Sequence, residues 1–452
     1  MRDEGMALPA AAVAMVAVSS MMCLSDHSAT AFVQLPPLLR SRQQHQQHQQ
    51  QRFLAPAARQ RQGLVRPRST ATATSMTEDA LGGSTIGLPR VLCHGEILFD
   101  CIANPEAAGW DLGRVEESAA WTPYPGGAPA NVACALAKLG VPASFVGAVG
   151  RDEEGDKLLQ VLESSGVGTE LASRVDDRPT RTVMVTRGAD GDRTFAGFGG
   201  GKASDCFADC EHRLSESEGV ARGLLEPGSW LVQGTLGLAY PGSYESHVCL
   251  AEWAKEAGAV RYLDINWRPV FWELAGKGNG GDDYESLARE RIMDFSLTAD
   301  VVKLTDEEAE WLCGIPGEVA LRDPPCLHKF FPAAKAILVT AGENGAAYSM
   351  GGQTGFIPVF EGLNVVETTG AGDAFSAGFI SEAIKLLSSK EEEKNAGLSP
   401  AVLEGIGGRA RDMVRFASAV GALTCCGDGA IKPQPLRGEV LGLLQQSSVG
   451  SE

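Results

Sequence analysis

From about residue 88 onward, short β-rich runs alternate with segments of helical periodicity, and this alternation constrains the fold more than any other feature. In Asn131–Leu139 the apolar residues fall at i, i+3, i+4 and i+7, and Lys157–Ser165 and Tyr244–Ala257 behave alike, which predicts helices. We predict strands at Arg90–Gly95, Ser144–Val149, Trp230–Thr235, Val260–Asn266, Asp300–Thr305 and Ala336–Gly342. Such alternation predicts an α/β fold with a mainly parallel sheet that helices cover on both faces.

One region breaks the alternation. Thr180–Thr186 and Arg193–Phe198 are strand-like and are joined by a turn with Asp190-Gly191, which is a hairpin signal. We expect a small β-lid over the carboxyl ends of the parallel strands, with its strands around 96–125 and 180–200. Two polar segments, Gly276–Tyr284 and Ser388–Gly397, are expected to be loops.

The charge balance excludes some classes of protein. The chain has 57 acidic residues against 39 Lys and Arg, a net charge of −18, which argues against a general nucleic-acid binder. It is 44% hydrophobic, enough for a large core. After the N-terminal segment, no apolar run approaches the ~20 residues that a membrane-spanning helix needs. We therefore expect a chain without a membrane span after processing.

The N-terminal segment has a different composition. Met6–Leu24 is apolar and alanine-rich, and residues 1–31 are typical of a signal peptide. Residues 32–77 contain seven arginines and no acid before Glu78, together with a glutamine- and histidine-rich tract, which is typical of a disordered transit peptide. The combination resembles the bipartite presequence of algae with complex plastids. It implies import into the plastid stroma; the alternatives are the secretory pathway and the cytoplasm.

Eleven cysteines are scattered without a repeated spacing. Cys206, Cys210 and His212 together suggest a metal site, but the second ligand pair is missing, so free thiols on a loop are the better interpretation. The vicinal pair Cys425-Cys426 is interpreted as structural, and the sequence does not decide whether it is redox-active.

The chemistry concentrates in Glu367–Ser376, which has the sequence ETTGAGDAFS. We expect a strand at Leu363–Glu367, a turn through Gly370 and Gly372, and then a helix. Two glycines and a helix N-terminus let backbone amides bind an anion. Asp373, at the start of the helix, is then either an N-cap or a base beside a phosphoryl group, and spacing alone favours the N-cap.

Several ordered motifs resemble those of the ribokinase-like (PfkB) carbohydrate kinases. TTGAGDAF is similar to the carboxy-terminal family signature, and GGAPAN, which ends at Asn131, opens the other signature. GEILFD, DINWRPVFW, KLTDEE and TAGENG keep the family order, over about residues 88–440. The likeness implies a ribokinase-like αβα sandwich. Among subfamilies the chain looks most like plant and bacterial fructokinases, which implies transfer of the γ-phosphate of ATP to the 6-hydroxyl of fructose.

The resemblance also implies roles for individual residues. Asp373 matches the base that accepts the proton of the sugar hydroxyl, and the amides of Gly370, Ala371 and Gly372 match the anion hole. The matched positions are Asp100, Gly127, Asn131 and Arg268 for the sugar, and Lys303, Thr340, Gly342, Gly345, Gly370 and Gly372 for ATP. An N-cap is the alternative for Asn131, and a surface salt bridge is the alternative for Arg268.

Glu308 matches the acid that organises Mg²⁺ through water. Thr305 stands where the family often has Asn, and Glu367 stands where it usually has Asp. The second change lies near a monovalent-cation site of some family members, so a K⁺ requirement is left open. The resemblance leaves two other functions open: a kinase for another sugar, such as ribose or 2-keto-3-deoxygluconate, and a non-catalytic, transcription-associated plastid protein. A homodimer through the β-lid is also expected.

Overall fold

The computed structural model describes residues 88–103, 121–187, 193–199, 206–214, 217–279, 283–388, 406 and 408–449. The signal-like and transit-like segments, the predicted lid turn at Asp190-Gly191 and most of the predicted loop after Ser388 lie outside these residues.

The strands of the described residues form two sheets. They are β1 Val91–His94, β2 Leu98–Ala103, β3 Trp121–Gly126, β4 Ala143–Gly150, β5 Gly168–Val175, β6 Thr182–Arg187, β7 Arg193–Phe198, β8 Trp230–Gln233, β9 Val260–Asp264, β10 Val301–Thr305, β11 Ala336–Thr340, β12 Ala346–Met350 and β13 Gln353–Ile357. The large sheet has nine strands in the order β13-β12-β11-β10-β9-β8-β1-β4-β5. From β11 to β5 all neighbours are parallel, and the two pairs at the other edge, β11–β12 and β12–β13, are antiparallel because β12 runs in the opposite direction.

Helices lie on both faces of this sheet. They are α1 Ala128–Lys138, α2 Glu153–Ser164, α3 Glu218–Leu224, α4 Pro241–Ala257, α5 Pro269–Asn279, α6 Tyr284–Ser296, α7 Asp306–Cys313, α8 Gly317–Arg322, α9 Ala371–Ser388, α10 Ala410–Thr424 and α11 Arg437–Val449. Successive strand residues serve opposite faces: in β10, Val301 belongs to the core of α1, α9 and α10, whereas Val302 belongs to the core of α5, α6 and α7. The predicted three-layer αβα fold is confirmed.

The small sheet has the order β3-β2-β6-β7, with β2 and β6 parallel and the other pairs antiparallel. Its strands fall in the two segments where the sequence predicts the lid. That this sheet moves as a lid, or carries a dimer interface, stays a prediction.

Two predictions of local structure are wrong. Leu363–Glu367 forms no strand; the amides of Val366 and Glu367 instead donate to the carbonyl of Cys425, and Val365 is 61% exposed. The polar segment at Gly276 is not all loop, because α5 continues to Asn279. Phe271 and Trp272 are buried and hold that helix on the core. Among the described residues no helix is long and apolar enough to cross a bilayer.

Candidate active site

The carboxyl ends of β9, β10 and β11 meet at one edge of the large sheet. Lys303 pairs with Asp264 in the register of β10 and β9, and Thr305 pairs with Thr340 in the register of β10 and β11. Parallel strands end at the same edge, where α/β proteins place their ligands. The predicted sugar, phosphate and metal residues of the C-terminal half converge here.

The turn before α9 is held by close backbone contact. Gly370 has a φ of +75°, and a Cβ at this position would lie 2.7 Å from the Cβ of Ala430. Neither the left-handed conformation nor the contact suits another residue. Gly429, next to Ala430, lies equally close to the lid, because a Cβ on it would be 2.8 Å from Cδ1 of Tyr124 in β3. The turn therefore packs on a segment that also contacts the lid.

The amides of this turn differ in availability. The amide of Ala371 donates to the carbonyl of Thr368 at 3.2 Å, so it is already used. Among the described residues the amides of Gly370, Gly372 and Asp373 have no acceptor. Amides in the first turn of a helix have no intrahelical partner. The site thus offers three free donors to an anion, and Ala371 contributes only if its bond to Thr368 opens.

Asp373 is joined to α1 by a hydrogen bond across the site. The Nδ2 of Asn131 donates to Oδ2 of Asp373 over 2.8 Å. Burial raises the pKa of Asp373 to about 6, against the lowering effect of the Asn131 bond and of Lys303. Neither residue is an N-cap: Asp373 is the third residue of α9 and Asn131 the fourth of α1. Both N-cap alternatives are therefore wrong.

The start of α1 is shaped by its contacts with Glu96, between β1 and β2. Gly127 has a φ of +102°, and a Cβ there would lie 2.5 Å from the carbonyl oxygen of Glu96. The carboxylate of Glu96 accepts from the amide of Ala128 at 3.0 Å and so caps α1 from outside the helix. Burial raises the pKa of Glu96 to about 7.

The polar groups at this end suit a polyol. The carboxylate of Asp100, in β2, lies against Gly126, beside Gly127. The Oδ1 of Asn131 is buried and has no partner among the described residues. A buried acceptor without a donor costs free energy unless a ligand satisfies it. A sugar hydroxyl is a donor of the required kind.

Lys303 lies under the anion-binding turn. Its Nζ is 3.0 and 3.1 Å from the two carboxylate oxygens of Asp264, and a Cβ on Gly372 would lie 3.0 Å from it. Burial works to lower the pKa of Lys303, but the charges of Asp264, Glu308 and Asp373 outweigh burial and raise it. Lys303 is thus a fixed positive charge directly behind Gly372.

Glu308 is part of a capping box at the start of α7. Its Oε2 accepts from the amide of Thr305 at 2.8 Å, and its own amide donates to Thr305 Oγ1 at 3.0 Å. The pattern T-x-x-E signals a capping box, and the prediction from sequence overlooked it. Burial raises the pKa of Glu308, against the effect of Lys303.

These residues fit a hydrated magnesium ion. The Oε1 of Glu308 accepts from the amide of Trp267 at 2.6 Å, and the side-chain oxygen of the neighbouring Asn266 is buried without a partner among the described residues. Mg²⁺ keeps several waters and takes one or two carboxylates together with substrate phosphates. Its waters would donate to acceptors such as these. The described residues contain no group of three or more side chains that could hold a metal alone.

Arg268 is exposed, and its Nη1 donates to the carbonyl of Trp267 at 3.0 Å. No ion pair among the described residues includes it, so the salt-bridge alternative finds no support in the described part of the chain. Its positive charge opposes the effect of burial on the pKa of Asp373 and of Glu308, so Arg268 influences both carboxylates of the site.

Thr340 ends β11, and the two predicted nucleotide-binding glycines lie in the turn that follows it. Gly342 is exposed, whereas Gly345 packs against the carbonyl of Ile357 in β13. Gly342 therefore offers open backbone to a ligand, and Gly345 has a packing reason to lack a side chain.

Two residues of the site had no role assigned from the sequence. Asp264 holds Lys303, and Asn266 is the non-glycine residue with positive φ, +41°, among the described residues. Backbone strain of this kind clusters at functional sites. The spacing Asp-x-Asn at the end of β9 was the available signal.

A parallel αβα sandwich that brings a carboxylate, free helix-start amides and a buried lysine to one sheet edge has the features of a phosphotransferase that acts on a hydroxyl. The model of the pfkB family carbohydrate kinases matches residues 88–437. The chain belongs to this family, and it is an ATP-dependent carbohydrate kinase.

Three similar proteins support the assignment. A protein of Arabidopsis thaliana named probable fructokinase-6, chloroplastic, is 32% identical over 83% of this chain and 86% of its own. The crystal structure of fructokinase with bound ATP from Xylella fastidiosa has a TM-score of 0.63 and 28% identity, over 79% of this chain and 99% of its own. The crystal structure of fructokinase from Vibrio cholerae O395, bound to fructose, ADP and calcium, has a TM-score of 0.59 and 25% identity. It also covers 79% of this chain and 99% of its own.

We predict that Asp373→Asn lowers kcat by at least about 10²-fold, because Asn keeps the bond to Asn131 but takes no proton.

In the parent, kcat/KM should fall about tenfold per pH unit below the pKa of about 6, since the base is then protonated. Sugar-dependent ADP release across pH 5–8 measures kcat and kcat/KM. The thermal midpoint and the nucleotide affinity show whether the variant keeps its fold and its ATP binding.

Asp412→Asn is the matched control, because Asp412 lies in the first turn of α10 but pairs with Arg409 at the surface. It should leave kcat unchanged. If Asp373→Asn keeps more than about a tenth of the parent kcat, the assignment as base is wrong.

We predict that Lys303→Met destabilises the protein by about 3–5 kcal/mol, because it leaves Asp264 buried and unpaired. Adding Asp264→Asn should recover most of the thermal midpoint but not kcat, since the charge behind Gly372 stays absent. Urea unfolding and kcat of both variants are the measurements.

Lys335→Met is the control, because Lys335 and Asp300 form a half-exposed pair away from the turn. It should cost about 1 kcal/mol or less and leave kcat alone. Full recovery of kcat in the double variant would assign Lys303 to stability only.

Proposed function

We propose that this chain is a fructokinase that transfers the γ-phosphoryl group of ATP to the 6-hydroxyl of fructose. The observation that carries the proposal is the 2.8 Å bond between Asn131 and Asp373. It joins the helix matched to the sugar with the helix that starts at the anion-binding turn. A hydroxyl held by the first helix lies next to the carboxylate of the second.

Each group has a part in the transfer. Asp100, Gly127 and Asn131 bind the sugar hydroxyls, and Asp373 accepts the proton of the hydroxyl that attacks. Its raised pKa favours proton uptake near neutral pH while leaving it ionised above about 6.

As the bond from the γ-phosphorus to the sugar oxygen forms, the bond to the β-phosphate oxygen breaks and ADP leaves. The amides of Gly370 and Gly372, with Lys303 behind them, stabilise the negative charge on the moving phosphoryl group. The proton remains on Asp373 until solvent takes it.

Mg²⁺, when bound, would supply positive charge that neutralises part of the charge of the nucleotide phosphates. Glu308 and Asn266 would hold its waters. The nucleotide phosphates would lie along Thr340 and Gly342 towards the turn. A K⁺ requirement is not part of this proposal.

The test is a sugar panel with MgATP, read by ADP release and by product mass. We predict the highest kcat/KM for fructose, with phosphate on the 6-hydroxyl. A clear preference for ribose or 2-keto-3-deoxygluconate would replace fructose but keep the chemistry. If no sugar raises ADP release above that of the Asp373→Asn variant, the enzymatic proposal fails and the non-catalytic alternative takes its place.

We also propose that the protein works in the plastid stroma. The acid-free, arginine-rich composition of residues 32–77 supports this, as does the chloroplastic relative.

We predict that residues 1–80 carry a fluorescent protein into the plastid of an alga with complex plastids. Residues 1–31 alone should stop in the secretory pathway, which is the matched control. Secretion of the longer fusion, or its retention in the cytosol, would contradict the proposal.

A further inference from the structure

Two buried hydroxyl groups connect β9 with the anion-binding turn. The hydroxyl of Tyr262, in β9, donates to Oγ of Ser376, in α9, at 2.9 Å. The hydroxyl of Ser376 donates to the carbonyl of Gly372 at 3.0 Å. A carbonyl can only accept, so the single proton of Ser376 goes to Gly372 and Tyr262 supplies the proton of the other bond. We call this chain, Tyr262 to Ser376 to Gly372, the hydroxyl relay.

The hydroxyl of Tyr262 has no role in packing. The neighbours of Tyr262 in the sheet are Val232 in β8 and Val301 in β10, and all three belong to the apolar core beneath α9. A phenylalanine would fill the same space beside Phe379, whose ring centroid is 6.3 Å away. Burying a hydroxyl costs free energy that a hydrogen bond must offset. The hydroxyl is therefore explained by its bond to Ser376.

The relay ends on a peptide that supplies one donor of the turn. The carbonyl of Gly372 and the amide of Asp373 belong to one planar trans peptide, so they point in opposite directions. The amide of Asp373 has no acceptor among the described residues. A hydrogen bond to the carbonyl fixes the plane of the peptide and polarises it, which makes the amide a stronger donor. The relay therefore acts on this donor without touching it.

The bond from Tyr262 adds a constraint that comes from outside the helix. A serine that bonds the carbonyl four residues earlier is common within helices. Here the serine is also held by β9, the strand in which Asp264 binds Lys303. Burial and the charge of Asp264 raise the pKa of Tyr262 well above its usual range, so its hydroxyl keeps the proton that the relay needs. One strand thus holds both the turn and the positive charge behind it.

We propose that Tyr262 and Ser376 are positioning residues that aim and polarise the peptide between Gly372 and Asp373 for phosphoryl transfer. The proposal rests on the proposed role of the turn as anion hole. Neither side chain touches a ligand, and their effect is largest in the transition state, where charge develops on the phosphoryl group. Loss of such an effect lowers kcat and leaves KM nearly unchanged.

The first experiment removes the two hydroxyls singly and together. Tyr262→Phe should lower kcat about tenfold, which is less than the ~10²–10³-fold that removal of an oxyanion-hole donor costs. Ser376→Ala should lower kcat at least as much. Adding Tyr262→Phe to Ser376→Ala should slow the enzyme no further, because the tyrosine acts only through the serine. The measurements are kcat, KM for sugar and for ATP, and the thermal midpoint.

Tyr240→Phe is the matched control. Tyr240 is also buried, and its hydroxyl donates to the carbonyl of Phe271 at 3.2 Å, in the core on the other face of the sheet. This variant should keep the parent kcat. The positioning role is refuted if Tyr262→Phe keeps kcat within about twofold of the parent, or if the two changes multiply in the double variant. A higher KM for sugar at an unchanged kcat would also contradict it.

A second measurement needs no sugar turnover. Aluminium fluoride binds beside MgADP as a mimic of the phosphoryl group in transfer, and calorimetry gives its affinity. Tyr262→Phe should weaken this binding about tenfold, in proportion to kcat, and leave the affinity for MgADP alone unchanged. Equal affinity in parent and variant, or no binding to the parent, would overturn the proposal. The expected loss, found in a protein that phosphorylates no sugar, would refute the fructokinase proposal and support this one.

Discussion

The buried ammonium of Lys303 allows three carboxylates to share one edge of the sheet. Asp264, Glu308 and Asp373 lie close enough for each to influence the Lys303 charge. Without a cation among them, burial and mutual repulsion would destabilise this cluster of carboxylates. With it, Asp264 is paired and Asp373 keeps a pKa of about 6. The positive charge lies behind Gly372, where phosphoryl transfer develops negative charge. Lys303 thus compensates the negative charge of the carboxylates in the free protein, and it also places a positive charge where an anionic ligand would bind.

Much of the fold could be predicted from the sequence because its central strands are buried on both faces. In β11, Ala336–Thr340, every residue before the terminal threonine is apolar and buried, and such runs are separated by helical periods. The six predicted strands of the large sheet are confirmed. The strand predicted at Leu363–Glu367 is wrong for a related reason. Its amides at Val366 and Glu367 bond to the end of α10 at Cys425 and not to a neighbouring strand. Composition does not reveal which partner a backbone finds.

The candidate site was predictable where a motif fixes backbone shape. At Gly127 and Gly370 a close backbone contact leaves no room for a side chain, and Asp373 lies in the first turn of α9. The N-cap alternatives failed because capping depends on a residue's place within the first turn, and spacing leaves that place uncertain by a residue or more. The role of Asp264 depends on its contact with Lys303, which lies 39 residues further along the chain. The local spacing Asp-x-Asn singles out Asp264 and Asn266 but does not reveal this contact.

Gly429 lies close to Tyr124 in β3, and the next residue, Ala430, lies close to Gly370. A strand of the small sheet therefore rests on one residue of this segment, and the turn before α9 rests on the following one. Any displacement of β3 would alter the support of that turn, so the two ends of the candidate site are mechanically coupled through two consecutive residues.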